Sequence, residues 1–455
     1  MSMRAGLVLF ILILGSPTSS FPQSSRVHRL LAGAAKVDVT PAERDLPQSF
    51  EGILDHLYSR AIALESGRAR AALITLDIGG ISDELWRAVT DALESELGIP
   101  ADNVLLTATH THSAPFQPRA DMAELIVESV RRAQQSAGPA RVGYGTGVSY
   151  INVNRNLIDP ETRRWWEGAN YDGPSDKTVS VVALERADGG PIAVYYNYAM
   201  HAVTVGQLDL ISADVPGTAS KYIEDSLDGD IVALWSSGAA GDQNPLYYQQ
   251  TYDLRDIRTA EYASRGIDIS NAMPPGGQGL DKSDPTVIKL MGQQKQMIVS
   301  MGQFLGEEVL RVMRNMDRTD SVAELRGSHA IVACPGRERT DSGRAGFAGQ
   351  YRDADPIDIR LGLLMIGDIA IGTVNAEVFN LIAQRLKRES PYAHTMITTL
   401  TNGRAPSGYI PNDAAYGMYT FEVVSSRLKP GCAEDAIVDG ILDLMDAGER
   451  LRASE

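Results

Sequence analysis

Between residues 70 and 113 the chain reads buried strand, capped helix, buried strand, and that order constrains the fold more than any other stretch. Residues 70–78 form an apolar run of strand length. Ser82 and Asp83 are cap residues for a helix reaching about Leu97, with Leu85, Val89, Ala92 and Leu93 at helical spacing and Pro100 just past the end. Residues 103–113 then open as a second apolar strand and close on His110 and His112. Two strands joined through a helix favour a parallel pair.

The rest of the chain varies this unit. Strands are expected at 30–40, 53–63, 140–144, 179–184, 192–198, 231–235 and 394–401, with two more over 361–374 joined at Gly367-Asp368. Helices are expected at 122–135, within 212–228, at 293–316, 378–387 and 433–445. Residues 159–176 read as a loop whose Trp165, Trp166 and Tyr171 could line an apolar groove or form a small core of their own. Residues 249–290 are mostly polar and read as an insertion or lid. The expectation is an α/β protein: a single large domain with mixed β-sheets flanked by helices, its active site at the strand carboxyl edge.

Composition narrows the function classes. Hydrophobic residues make up 44% and charged residues 22%, as in ordinary folded proteins. The net charge of -16 argues against a nucleic-acid phosphate partner and against docking on anionic membranes. Residues 1–20 read as a signal peptide: Arg4, an apolar run from 7 to 14, then a small-residue exit near Ser20. A secreted or periplasmic protein with no transmembrane segment in its mature chain follows from that reading. Cys334 and Cys432 are the two cysteines, either a disulfide or two buried thiols.

Several strand exits carry metal-competent residues. His110 and His112 leave one strand on the same side, His201 follows another, and Glu377 and Tyr409 follow later ones. Two histidines and a carboxylate satisfy a catalytic zinc site with one open position. Asp242, on the glycine-bearing turn 236–245, could act as base for a metal-activated water. That turn lacks the lysine of a phosphate-binding loop. Each residue also has a plainer reading: packed histidines, a helix-start acid at Glu377, a turn brace at Asp242, a loop aromatic at Tyr409. His28, His56, His329 and His394 have no such company.

Taken together, these segments resemble the catalytic domain of the neutral (non-lysosomal) ceramidase family, from about Ala32 to Ala447. Residues 32–40 are similar to the family's opening G-x-x-x-x-D-x-T, and 103–113 to its N-V-x-x-x-x-T-H-T-H-S signature. Asn154-Arg155, the strand reaching His201, and Ser407-Gly408-Tyr409-Ile410 with Tyr416 beyond it resemble further family segments. The resemblance implies one zinc ion per chain held by His110, His201, Glu377 and Tyr409. His112 would stabilise the oxyanion, Asp242 would take the proton, and Arg155 and Asn244 would contact substrate. Asn244 stands where the family has a serine, and 374–377 replaces its P-G-E, so the substrate is expected to be an N-acyl, lipid-like molecule other than ceramide or ceramide itself. The expected activity is that of an amidohydrolase on a linear amide. A metal-dependent esterase of the same fold and a non-catalytic metal-holding protein are the alternatives. The expected domain is 27–452, without the family's carboxyl-terminal immunoglobulin-like domain.

Overall fold

The strands of the central sheet are apolar on both faces, and this decides the layering. In Ala69–Leu76, Ala71 and Leu73 face one way and Ala72 and Ile74 the other, all of them buried. In Val104–Ala108, Leu105 turns one way and Val104 and Leu106 the other. A sheet with two apolar faces needs a covering layer on each. The computed structural model describes residues 28–269, 276–316, 321–341 and 346–454, so the expected signal peptide lies outside the described residues.

The central sheet has eight strands, in the order Val232–Ser237, Pro191–Tyr198, Thr178–Arg186, Gly138–Val148, Leu30–Asp38, Tyr58–Ser66, Ala69–Leu76 and Val104–Ala108. Its two outermost pairs are parallel. The interior pairings are antiparallel. One face packs on a second sheet of four strands, Leu325–Arg339, Tyr351–Ile366, Ile369–Val374 and His394–Thr398. Leu364, Ile366, Ile371 and Met396 of that sheet share a core with Leu30, Leu73, Leu105 and Tyr195. The other face of the central sheet is covered by helices Asp83–Leu97 and Met122–Gln135 at one end and Asp214–Ser226 and Pro285–Asn315 at the other. Helices Asn380–Glu389 and Ala433–Ser454 cover the outside of the four-stranded sheet through Ile382, Leu386, Ile437 and Ile441. The order of layers is therefore helices, sheet, sheet, helices. Each fully buried Leu or Ile in these layers is worth roughly 1.5–3 kcal/mol relative to exposure.

The mixed α/β reading holds, with the expected parallel pair between Ala69–Leu76 and Val104–Ala108. Helix Asp83–Leu97 starts where the sequence places its cap: the Ser82 side chain accepts from the Leu85 amide. It ends at Gly98 with φ 65, a left-handed turn that glycine adopts freely. Several segments differ from expectation. Residues 159–176 contain a strand, Trp165–Asn170, paired antiparallel with Asn152–Ile158. The polar stretch after residue 249 begins with a helix, Gln249–Ser264, and the next helix starts at Pro285. Strand Leu325–Arg339 has no counterpart in the expectations; Pro335 and Gly336 interrupt its pattern where its register shifts. Among the described residues, no helix is long and apolar enough to cross a membrane.

Cys334 and Cys432 form a disulfide between residues 98 apart, joining the four-stranded sheet to the start of the last helix. Closing so long a loop restricts the unfolded chain. Replacing both cysteines by alanine should lower stability by about 2–4 kcal/mol, read as a lower denaturant midpoint. A midpoint equal to that of the wild type would show that packing alone holds this corner.

Candidate metal centre and active site

His110 lies two residues past the strand Val104–Ala108. Its backbone has φ 64, an unfavourable conformation for a side-chain-bearing residue. Neighbouring strands hold it there: the Thr109 amide donates to Leu76 O and the His110 amide to Ile78 O. Thr111 is bridged to Ala202, and the His112 amide donates to Ala202 O, which sets 111–112 beside His201. The Thr111 hydroxyl donates to Ser212 O, and Ser212 is in turn held by the Asp55 carboxylate.

The imidazoles are oriented from behind. His110 Nδ1 lies 2.6 Å from Gly79 O, and His201 Nδ1 lies 3.1 Å from Gln243 O. A carbonyl can only accept, so both Nδ1 atoms carry the hydrogen, and in the neutral rings both Nε2 atoms present lone pairs. Those atoms converge on one carboxylate oxygen. Glu377 Oε2 is 3.2 Å from His110 Nε2 and 3.1 Å from His201 Nε2. His112 Nε2 is 3.4 Å from His110 Nε2, and the ligand atoms of the three histidines lie within 4.8 Å of one another.

Three acceptors facing one another are stable only around a cation. A single proton satisfies the set in part. Burial opposes charge on His110, but the Glu377 carboxylate outweighs it and raises the His110 pKa. His201 is pushed down to about 4 by burial and by Arg155. Burial would raise Glu377, yet His110 and His201 hold it well below the usual carboxylate range. His112 is open to solvent on one side; the protein packed around the rest of the ring, with His110 and His201, holds it neutral at pH 7. Two imidazoles fixed through Nδ1 and a carboxylate, with a third imidazole adjacent, suit a zinc ion.

Glu377 pairs in register with Tyr409 in a short parallel ladder, Glu377–Val378 with Tyr409–Ile410. Burial and the Glu377 charge raise the Tyr409 hydroxyl well above its usual range. The turn before Asp242 packs on this ladder: the Gly241 amide donates to Val378 O, and a Cβ at Gly241 would lie 2.9 Å from Glu377 O. Only glycine allows that approach.

The remaining expected site residues are buried in a polar network. Arg155 is 6% exposed and Asn244 1%. Arg155 donates to Glu422, to Asn244 Oδ1 at 3.2 Å, to Gly241 O at 2.8 Å and to the Tyr409 hydroxyl at 3.2 Å. Both residues, expected to touch substrate, are occupied by protein partners. Asp242, expected to act as base, is likewise held by protein donors. Its Oδ1 accepts from the Asn380 amide at 3.0 Å, and its Oδ2 accepts from Asn380 Nδ2 at 2.6 Å and Asn154 Nδ2 at 3.0 Å. Burial pushes it up to about 6. Sequence reasoning did not single out Glu422, Glu167 or Asn380; no spacing in the sequence marks them. His56, His329 and His394 sit in exposed pairs with Asp38, Asp102 and Asp368, away from this centre.

Asp55 gives a pH test of the bracing behind His112. Burial pushes it up to about 6 from 3.8, despite hydrogen bonds from Ser212 and the Ala213 amide. The folded pKa lies above the unfolded one, so its contribution is present in full below about pH 4 and is lost as pH rises through about 6. In Asp55→Asn the amide oxygen can still accept from Ala213 N, and its NH₂ can donate to the Ser212 hydroxyl. The wild type should therefore lose stability relative to Asp55→Asn between about pH 4 and pH 7, measured as the difference in melting temperature. A difference that stays constant across that range would contradict the assignment.

Comparisons with known proteins bear on the family and the fold. The family described as "Neutral/alkaline non-lysosomal ceramidase, N-terminal" matches residues 42–336. The neutral ceramidase of Drosophila pseudoobscura pseudoobscura is 25% identical over 358 residues, covering 69% of this chain and 48% of that protein. Neutral ceramidase B of Dictyostelium discoideum is 27% identical over 262 residues, covering 50% of this chain and 36% of that protein. The chain thus spans about half or less of the length of these relatives. The crystal structure of neutral ceramidase from Pseudomonas aeruginosa superposes with a TM-score of 0.67 at 19% identity, over 92% of this chain and 75% of that one. A similar fold is found in a ceramidase complexed with C2, with a TM-score of 0.67 at 17% identity, over 92% of this chain and 76% of that one.

Proposed function

The chain belongs to the neutral/alkaline non-lysosomal ceramidase family, and from that premise we propose that it is a zinc-dependent hydrolase of the amide bond in ceramide or a related N-acyl lipid. The observation that carries the proposal is the convergence of His110 Nε2, His201 Nε2 and Glu377 Oε2, with both imidazoles tied from behind by backbone carbonyls. His110, His201, Glu377 and Tyr409 would hold the ion. Zinc there would supply a Lewis acid for the acyl carbonyl and would lower the pKa of water toward about 7. His112, neutral and open to solvent, would donate a hydrogen bond to the oxygen of the acyl group as charge develops on it. Arg155 holds the Tyr409 hydroxyl in place from the protein side.

Two features support export: the signal-like residues 1–20 and the Cys334–Cys432 disulfide. We assign residues 27–452 to the hydrolase domain, and within it helix Gln249–Ser264 is tied to strand Trp165–Asn170 through Arg255 and Glu167.

Metal analysis of purified protein, together with turnover of N-acyl lipids and their ester analogues, tests the reading. The wild type should carry one zinc per chain and cleave the amide. His110→Ala should lose zinc and activity. His112→Ala should keep zinc and lose about 10²–10³ in kcat, the scale for removing one oxyanion donor. Equal loss of metal in both variants would end the division of labour between the two histidines, and a wild type free of zinc would end the zinc reading.

A further inference from the structure

We propose that Asn244 and Glu167 are positioning residues that aim the Arg155 guanidinium at Tyr409, with Arg255 tying helix Gln249–Ser264 into the same alignment. The inference rests on the zinc-hydrolase reading and adds the residues that set its geometry.

Five side chains form one line of hydrogen bonds. Arg255 Nη1 donates to Glu167 Oε2 at 2.8 Å. Asn244 Nδ2 donates to Glu167 Oε1 at 2.9 Å. Asn244 Oδ1 accepts from Arg155 Nη1 at 3.2 Å, and Arg155 Nη2 donates to the Tyr409 hydroxyl at 3.2 Å. The contributing residues come from four elements: helix Gln249–Ser264, strand Trp165–Asn170, strand Gln243–Pro245 and strand Asn152–Ile158. Tyr409 stands at the far end, in register with Glu377.

The Asn244 carboxamide has one workable orientation. Its oxygen faces a guanidinium, which only donates, and its NH₂ faces a carboxylate, which only accepts. Turning it over would set donor against donor and acceptor against acceptor. Glu167 therefore fixes the carboxamide, and the carboxamide fixes one arm of Arg155. Glu422 fixes Arg155 at Nε, and Gly241 O fixes its other arm. Arg155 has five N–H donors, and four are engaged by protein. Such a group is built to hold a neighbour still, and its neighbour in the site is Tyr409. A serine at 244 is too short to meet both Arg155 and Glu167.

The test uses cobalt(II)-loaded protein, whose visible absorption reports the coordination of the ion, alongside kinetics and melting temperature. Asn244→Ser should shift the cobalt absorption in the same direction as Tyr409→Phe. It should lower kcat by about tenfold or more with KM changed less than about threefold, and leave the melting temperature close to that of the wild type. Glu167→Gln keeps an acceptor for Asn244 and should retain more kcat than Glu167→Ala. Should Asn244→Ser fail to fold, the two Glu167 variants carry the same comparison. A wild-type cobalt spectrum and kcat in Asn244→Ser, or an effect on KM alone, would overturn the positioning role while leaving the hydrolase reading intact. A wild type that binds neither zinc nor cobalt would overturn the function, and this inference with it.

Discussion

A buried carboxylate facing two imidazole lone pairs is the constraint around which the molecule is built. Glu377 and His201 are separated by 176 residues, and Glu377 and His110 by 267. Nothing local brings them together. The eight-stranded sheet delivers the histidines, and the four-stranded sheet leads into Glu377. The two sheets share one core, so the distance across the site is set by the packing of Leu73 and Leu105 on Leu364 and Ile371. An interior packed at crystal-like density allows little play. The left-handed backbone of His110 is held by the same sheet, through the carbonyls of Leu76 and Ile78. Strain of that kind persists where the surroundings determine it fully.

The charges around the site balance in a way that singles out Glu377. Arg155 pairs with Glu422, and Arg255 pairs with Glu167. Among the described residues, Glu377 has no lysine or arginine partner; its ion-pair partners are His110 and His201. A buried charge left unpaired is costly, and breaking an existing buried pair leaves one behind. The arginines are committed elsewhere, so the Glu377 carboxylate is left to a cation that the imidazoles can share. The raised pKa of His110 and the depressed pKa of Glu377 describe that demand met by a proton. A divalent ion meets it with more donors.

What the sequence makes legible follows burial. Helix Met122–Gln135 was read with its bounds, and Asp83–Leu97 with its cap, because each has an apolar face on the central sheet. Helix Gln249–Ser264 was not, because it buries little beyond Thr251, Leu254 and Arg258 and shows no apolar stripe. Strand Leu325–Arg339 alternates between exposed and half-buried residues for most of its length and is defined by pairing with Tyr351–Ile366. It buries too little apolar surface to read as a core strand. Trp165–Asn170 hid for a related reason: its partner strand carries asparagines and an arginine where a core strand would carry apolar residues.

The site divides along the same line. His110, His112 and His201 follow apolar strands, where an abrupt change to metal-competent residues can be read directly, while Glu377 and Tyr409 open the two strands of a short ladder. The roles of Asp242, Asn244 and Arg155 cannot be read that way, since each depends on what the side chain meets. Asp242 reads as a base or a brace on sequence grounds; in the fold its two oxygens accept from three amide donors. An exposed Arg155 would be a substrate clamp. At 6% exposure it makes four bonds to protein, one of them to the Tyr409 hydroxyl. An asparagine between a carboxylate and a guanidinium gains a fixed orientation from both. The residue that breaks the family pattern in sequence thereby becomes part of the framework of the site in the fold.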